Sequence, residues 1–320
     1  MQEINKSIKV AITGGCGYIG STLIEYLNNK GITNIDIYDV GDWTKKWKNL
    51  IGLKYNKIED NWKIFNEYHD VIISLGANSA TTAEPSLETY NGNTSWSNTL
   101  ITHLKESKTR LIHASSASVY GSEEKDFNPR VQGLKPINFY AWTKLKTDEY
   151  IEDLNFPSNI YSLRFFNVYG GIREQYKGPM SSVIYRWLTQ DITSLNKIQL
   201  FKSLRADFKD GEQSRDFIYV EDICSIIYHC MFTENPGGIF NAGSGKAENW
   251  LTIAKEVLKV RGLDQNWIQF IDMPEKLMKQ YQYFTQSDNT TLIQNLGYNK
   301  KFTSIQEGIK LTWEQIQKNG

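Results

Sequence analysis

The run Ile8-Lys9-Val10-Ala11-Ile12-Thr13 passes without a break into Gly14-Gly15-Cys16-Gly17-Tyr18-Ile19-Gly20, and then into a helix-forming stretch that reaches about Lys30. A strand, a glycine turn and a helix in that order build the first unit of a doubly wound sheet. Glycines at 14, 17 and 20 permit a tight turn, a close backbone approach to a pyrophosphate, and tight packing of helix on strand. The free N–H groups and partial positive charge of the helix start suit an anion. Asp39 ends the next β-branched run and is placed to accept hydrogen bonds from an adenosine ribose.

Further β-branched runs recur at Ile35 to Asp39, Val71 to Ser74, Arg110 to Ser115 and Ile160 to Phe166, with helix-length amphipathic segments between them. They read as nearly continuous hydrophobics, as parallel strands covered on both faces do. The expected fold is α/β, a Rossmann-type doubly wound parallel sheet with a smaller C-terminal α/β substrate domain. After Gly170 the chain turns loop-rich and charged, at Gly171 to Gly178 and Leu204 to Ser214. Phe217 to Val220 then resembles another core strand, Glu221 to Phe232 an amphipathic helix, and Ile239 to Ala242 a further strand. The expected division is therefore interleaved: residues 1–168 and 215–244 form the dinucleotide-binding domain, and residues 169–214 and 245–320 the substrate-binding domain.

Composition excludes several classes. At 320 residues the chain is too long for a small binding module. Lys plus Arg and Asp plus Glu each number 36, so no global charge attracts nucleic acid or an anionic membrane. Trp43, Trp47, Trp62 and Trp96 are scattered rather than interleaved with a basic stripe, which argues further against nucleic acid. Apolar stretches such as Ile223 to Phe232, broken by Ser225 and His229, fall far short of the roughly 20 residues that span a bilayer. Cys16, Cys224 and Cys230 form no disulfide framework, and no charged-then-apolar leader precedes Ile8, so a reducing cytoplasm is the expected location. Cys224, His229 and Cys230 share one expected helix without a second ligand pair at zinc spacing, and no metal is expected.

The strand Leu111-Ile112-His113-Ala114-Ser115-Ser116 ends in hydroxyls, and downstream comes Tyr140-Ala141-Trp142-Thr143-Lys144. On a helix this spacing puts Tyr140 and Lys144 on one face, where the ammonium can stabilise a phenolate and lower the phenol's pKa. Tyr140 thereby becomes a candidate general acid/base. Tyr26 and Lys30 share the spacing, so what singles out Tyr140 is its place after the hydroxyl-bearing strand end.

The glycine loop, the Ser116 element and the Tyr140/Lys144 pair resemble the extended short-chain dehydrogenase/reductases that act on nucleotide sugars. Further matching segments are Phe166-Asn167-Val168-Tyr169-Gly170, Arg173, Lys177-Gly178-Pro179-Met180-Ser181-Ser182-Val183 and Asp210 to Phe217, followed by Gly238 to Gly245 and Tyr281 to Gln286. Together they look like the ADP-glyceromanno-heptose 6-epimerase family. The resemblance implies an isomerase that inverts C6 of a nucleotide-linked heptose by oxidation and re-reduction on bound NADP, NAD being the other option, in lipopolysaccharide-type heptose supply. It implies that Ser116 hydrogen-bonds the reacting oxygen, that Tyr140 is one acid/base and Lys177 the second, and that Lys144 holds the nicotinamide ribose and tunes Tyr140. It further implies cofactor contacts at Gly14, Gly17, Tyr18, Ile19, Gly20, Asp39, Val40, Lys46, Leu75, Gly76, Ala77, Ser79, Asn93 and Val168. Substrate contacts are implied at Asn167, Arg186, Phe201, Arg215 and Tyr281, and a homo-oligomer is expected.

The chain departs from the family pattern in places. Val40 stands where an Asn is usual, with Lys45-Lys46-Trp47-Lys48 following. Gly171 replaces a proline, and the loop to Lys177 is one residue longer. Pro179 and Arg186 replace polar residues, and Gly92 falls where a cofactor-contacting Asn aligns, which makes Asn93 the substitute. The competing readings are a UDP-, GDP- or dTDP-sugar 4-epimerase, which would leave Lys177 idle, a 4,6-dehydratase, and a non-catalytic NAD(P)-sensing regulator. A dehydratase places an Asp-Glu pair after its strand-end Thr, whereas Ser116 is followed by Ala117 and Ser118; sensing regulators usually lose the Tyr or the Lys, and both are present here.

Overall fold

The structure is a computed structural model that describes residues 7–40, 43–80, 84–122, 127–130, 132–193, 196–278 and 281–319. The question of a leader concerns residues 1–6, which lie outside that set. The strands, in chain order, are β1 (Val10–Thr13), β2 (Ile35–Tyr38), β3 (Lys57–Glu59), β4 (Val71–Ser74), β5 (Arg110–Ser116), β6 (Ile160–Phe165), β7 (Asn167–Tyr169), β8 (Ile198–Phe201), β9 (Ser214–Tyr219), β10 (Gly238–Ala242), β11 (Ala247–Asn249) and β12 (Ile268–Ile271). The α-helices are α1 (Tyr18–Asn29), α2 (Leu87–Tyr90), α3 (Trp96–Leu104), α4 (Phe139–Asp153), α5 (Val183–Thr189), α6 (Val220–Phe232), α7 (Trp250–Val260), α8 (Glu275–Met278), α9 (Thr290–Gln294) and α10 (Ile305–Asn319).

The large sheet has the order β10-β6-β5-β4-β1-β2-β3, and every pair in it is parallel. Its order reverses between β1 and β4, the point at which such sheets open a crevice beyond their carboxyl ends. Thr13 is in register with both Tyr38 and Ser74, so the glycine loop, Asp39 and Leu75-Gly76 leave the sheet at one edge. Leu23, Ile24 and Leu27 of α1 and Ile223, Ile226 and Ile227 of α6 belong to one core of this sheet. Trp96, Leu100, Ile101 and Leu104 of α3 pack with Ile151 of α4 in another. Among the described residues no helix is long and apolar enough to cross a membrane.

The strand expected at Phe217 to Val220 does not join this sheet. It runs from Ser214 to Tyr219, pairs with β7 in parallel and with β11 antiparallel, and Val220 opens α6. Strand alternation explains the placement. Ile218 belongs to the core of the large sheet, whereas Phe217 and Tyr219 belong to a second core with Ile253, Val257 and Ile309. The chain returns to the large sheet through α6 and β10, which pairs with β6. Residues 245–320 are not confined to the second core, because Leu292, Leu296 and Tyr298 lie in the first.

Candidate active site

The glycine loop is shaped by two close approaches. Gly14 has φ +69°, and a Cβ there would lie 2.7 Å from the Gly76 backbone. A Cβ on Gly20 would lie 2.5 Å from the Gly14 carbonyl oxygen, so only glycine lets α1 start this near β1. Asp39 ties the end of β2 to this loop. Its Oδ2 accepts from the Cys16 N–H at 3.0 Å, and its Oδ1 accepts from the Val40 N–H at 3.0 Å and from Lys46 Nζ at 3.3 Å. Burial, followed by the Asp39 charge, pushes the Cys16 thiol up to about 12.

Helix α4 carries Tyr140, Lys144 and Asp148 at successive i, i+4 positions, and begins at Asn138, whose side chain accepts from the Ala141 N–H at 2.9 Å. Asp148 is fully buried and pins this face to the sheet: it accepts from Ser115 Oγ at 2.9 Å, Ser162 Oγ at 2.8 Å and Arg164 Nε at 2.8 Å. Arg164 also donates to the Tyr120 hydroxyl and to the Pro129 carbonyl, each at 3.2 Å. One turn before Asp148, the Lys144 ammonium donates to the Ala114 carbonyl at 2.8 Å, and burial lowers its pKa to about 8. Next to it, His113 is held well below its usual range by burial and then by the Lys144 charge, and so is neutral.

Ser116 ends β5, and its Oγ lies 2.9 Å from Ser118 Oγ and accepts from the Ser118 N–H at 3.2 Å. Tyr140 departs from the sequence argument: its phenol is pushed up by burial, with a Ser116 hydrogen bond acting in the opposite sense. The expected lowering by Lys144 is not seen: the causes that act on the phenol are burial and Ser116, and the ammonium donates to the Ala114 carbonyl.

Lys177 comes from a separate element, the 3₁₀-helical segment Ile172–Met180 between β7 and α5. Its Nζ lies 5.2 Å from the centre of the Tyr18 ring, and the Tyr18 hydroxyl donates to the Gly170 carbonyl at 2.6 Å. Burial lowers the Lys177 pKa, and the Glu174 charge opposes the shift.

A cleft of about 1080 Å³ brings these groups together. It is lined by Gly14, Gly17, Tyr18, Ile19, Gly20, Asp39, Val40, Lys46, Leu75, Gly76, Ala77, Ser79 and Val168, and by Ser116, Tyr140, Lys144 and Lys177. Asn93 does not line it. Asn93 sits in a π-helical turn, Asn91–Ser95, fully buried, where it accepts from the Asn78 N–H at 2.8 Å and donates to Thr143 Oγ1 at 3.1 Å. The extra residue of such a turn rotates Asn91 and Gly92 to the cleft instead.

Five further expected residues lie outside that lining. Asn167 and Arg186 are exposed. Arg215, Tyr281 and Phe201 form their own aromatic group: the Arg215 guanidinium lies 5.2 Å from the Tyr281 ring centre, and the Phe201 and Tyr281 rings are 6.0 Å apart. Arg215 donates to the carbonyls of Ser214 and Gln282, whereas Asp216 accepts from the N–H groups of Ser244, Gly245 and Ser287.

Sequence reasoning missed part of the cleft lining, among it Asn61, Trp62 and Trp96. The indoles of Trp62 and Trp96 meet edge to face with centres 4.7 Å apart. The only local signal is Asp60, whose side chain caps the Trp62 N–H at 3.1 Å. Among the described residues, Asp36, Glu67 and His69 also cluster closely enough to hold a cation, but Lys9 lies 2.7 Å from Glu67 and 3.4 Å from Asp36, and Lys57 pairs with Glu67 as well.

A glycine loop at the switch point, joined in one cleft to a Ser/Tyr/Lys set, defines a class of enzyme fold, and the chain belongs to the NAD dependent epimerase/dehydratase family, whose profile matches residues 10–243. Within it, the chain is 34% identical to the ADP-L-glycero-D-manno-heptose-6-epimerase of Fusobacterium nucleatum, over 94% of this chain and 96% of that one. It is 35% identical to the enzyme of the same name from Nitratidesulfovibrio vulgaris, over 93% of this chain and 94% of the other. The crystal structure of the ADP-L-glycero-D-manno-heptose-6-epimerase of Helicobacter pylori superposes with a TM-score of 0.81 at 25% identity, covering 99% of both chains. A UDP-N-acetylglucosamine 4-epimerase from Methanobrevibacter ruminantium shares the fold, with a TM-score of 0.79 at 21% identity.

Proposed function

We propose that the chain is an ADP-glycero-manno-heptose 6-epimerase that works on a tightly held nicotinamide dinucleotide. The observation that carries the reading is the shared cleft: the glycine loop, Ser116, Tyr140, Lys144 and Lys177 all line it, although they come from elements far apart in sequence. The 4-epimerase alternative has no use for Lys177, and the relatives that match along almost the whole chain carry the heptose epimerase name.

The residues suit the cofactor. The loop at Gly14, Gly17 and Gly20 leaves no room for side chains where a pyrophosphate would approach, and Lys144 lines the same cleft. NADP is the proposed form, because Lys46 and the exposed Val40 flank Asp39, whose carboxylate is already engaged by Cys16, Val40 and Lys46. A nicotinamide dinucleotide held there would supply a hydride acceptor and donor for C6 of the sugar.

The chain's own groups move the proton. Ser116 holds the reacting oxygen, while Tyr140 and Lys177 take the hydroxyl proton and give one back on the two faces that the exocyclic group presents. Burial prepares Lys177 as an acceptor by lowering its pKa. The phenol, pushed up by its burial, is a proton donor until a nearby charge lowers it.

The test is a turnover assay on ADP-, GDP-, UDP- and dTDP-linked sugars in deuterated water. Inversion at C6 of the ADP-heptose with ordinary hydrogen retained there supports the reading. Deuterium at C6, or turnover confined to C4 of another nucleotide sugar, rejects it.

A further inference from the structure

We propose that Glu174 is the positioning residue of the Lys177 loop: its buried carboxylate clamps both ends of the segment that presents Lys177 and supplies the counter-charge to its ammonium. The proposal rests on the reading of Lys177 as a proton-transfer group and adds the residue that places it.

Glu174 is fully buried although it is a carboxylate on a surface loop. Its Oε2 accepts from the Gly170 N–H at 2.8 Å, at the loop's entrance, and its Oε1 accepts from the Ser182 N–H at the exit, where α5 begins. Its own carbonyl accepts from Ser181 Oγ at 3.0 Å. One side chain thus closes a loop whose turns at Gly170, Gly171 and Gly178 have φ values of +93°, +77° and +55°, a backbone with little rigidity of its own. The outer side of the loop is tied separately, by Arg173 Nη1 on Glu25 at 2.8 Å and Arg173 Nε on the Asn49 carbonyl at 3.0 Å. Taking a carboxylate out of water is costly unless it is hydrogen-bonded, and burial pushes the Glu174 pKa up while the Ser182 and Gly170 donors, and then the Lys177 charge, oppose the shift.

The groups that face this carboxylate electrostatically are Lys177 from its own segment, Tyr18 of α1, Tyr169 of β7 and Tyr185 of α5. Lys177 is the cation among them. Burial lowers the lysine's pKa and Glu174 raises it, so removing the Glu174 charge leaves the burial effect unopposed and moves the Lys177 titration to lower pH.

Glu174→Gln keeps the shape but turns one acceptor into a donor facing a backbone N–H, so one end of the loop is released. Epimerisation by this variant is expected to fall about 10- to 100-fold in kcat with KM little changed, as for a misplaced catalytic group. In a Lys177→Met background the same substitution is expected to have almost no further effect, because the residue acts through Lys177. Competitive labelling of amines with acetic anhydride across pH, read at the Lys177 peptide against exposed Lys259, is expected to show the Lys177 midpoint moving to lower pH. Equal slowing in the Lys177→Met background, or an unmoved midpoint, overturns the proposal. If Lys177→Met alone is fully active, it is the functional reading that fails, and the labelling midpoint still decides the clamp. Should Glu174→Gln not fold, Ser182→Pro removes one donor of the clamp at a residue whose φ of −57° already suits proline. A smaller loss of rate that vanishes in the Lys177→Met background upholds the clamp, and an unchanged rate rejects it.

Discussion

Replacing Asp148 by Asn tests whether the face of α4 that carries Tyr140 and Lys144 is held by a buried charge. Asp148 and Arg164 are each 1% exposed at the side chain, and their 2.8 Å contact is the one ion pair of this network. An amide oxygen in the place of Oδ2 still accepts from Ser115 and Arg164, but the Arg164 guanidinium loses its counter-charge and keeps only neutral acceptors, this oxygen, Tyr120 and Pro129. Breaking a buried pair from one side costs about 3–5 kcal/mol. That is a large share of the roughly 5–15 kcal/mol by which folded proteins are stable. Guanidinium unfolding monitored by tryptophan fluorescence gives the loss directly. The second effect is functional: Lys144 is one turn away, so a loosened helix also weakens cofactor retention. Arg164→Met in the Asp148→Asn background removes the stranded charge and is expected to recover part of the stability. A loss below about 1 kcal/mol for Asp148→Asn, or no recovery in the double variant, would refute the idea that uncompensated charge sets the cost.

Other consequences can be checked with equal directness. Tyr140→Phe removes a proton-transfer group while keeping its packing, so turnover is expected to fall about 10²- to 10⁴-fold with folding and cofactor retained; near-normal turnover sinks the assignment. Lys144 titrates at about 8 in the fold and at 10.5 when free, so the unfolded chain binds more protons between those values. Stability relative to Lys144→Met is therefore expected to rise by up to about 3 kcal/mol as pH goes from 8 to 10.5 and to be level below 8, where both states are protonated; a flat difference across the window from 8 to 10.5 in calorimetry contradicts it. Gly20→Ala drives a Cβ into the Gly14 carbonyl and the Gly15 Cα, and is expected to abolish retention of the dinucleotide, measured as cofactor released on denaturation.

The local grammar of this chain was readable without coordinates. The β-branched runs, the glycine turn at 14 to 20 and the helix that follows are decided by backbone preference and by hydrophobic period, which short stretches of sequence carry in full. Val71 to Ser74 is the same strand in sequence and in structure. The chemistry of Tyr140 and Lys144 was readable only through their place after the Ser116 strand end. Tyr26 and Lys30 have the same spacing, yet in the fold Lys30 is exposed with its ammonium 5.4 Å above the Tyr26 ring, whereas Lys144 is buried against the Ala114 carbonyl. Spacing sets which residues share a helix face; what that face is pressed against sets their pKa.

What the sequence determined by itself was therefore the kind and order of most elements of the large sheet, and which residues have the chemistry proposed for proton transfer and phosphate binding. Tertiary structure alone decided which core each face of β9 would join, since Ile218 and its neighbours Phe217 and Tyr219 can all be buried and what lies opposite each sorts them. It decided that Asn93 turns inward while Asn91 and Gly92 reach the cleft, because all three lie in one π-helical turn whose wider spacing changes which side chains face out. It also gave Glu174 its place, by bringing Gly170, Ser182 and Lys177 around one carboxylate. Burial and pairing are properties of groups meeting across long stretches of chain, and no period or motif within either partner records the meeting.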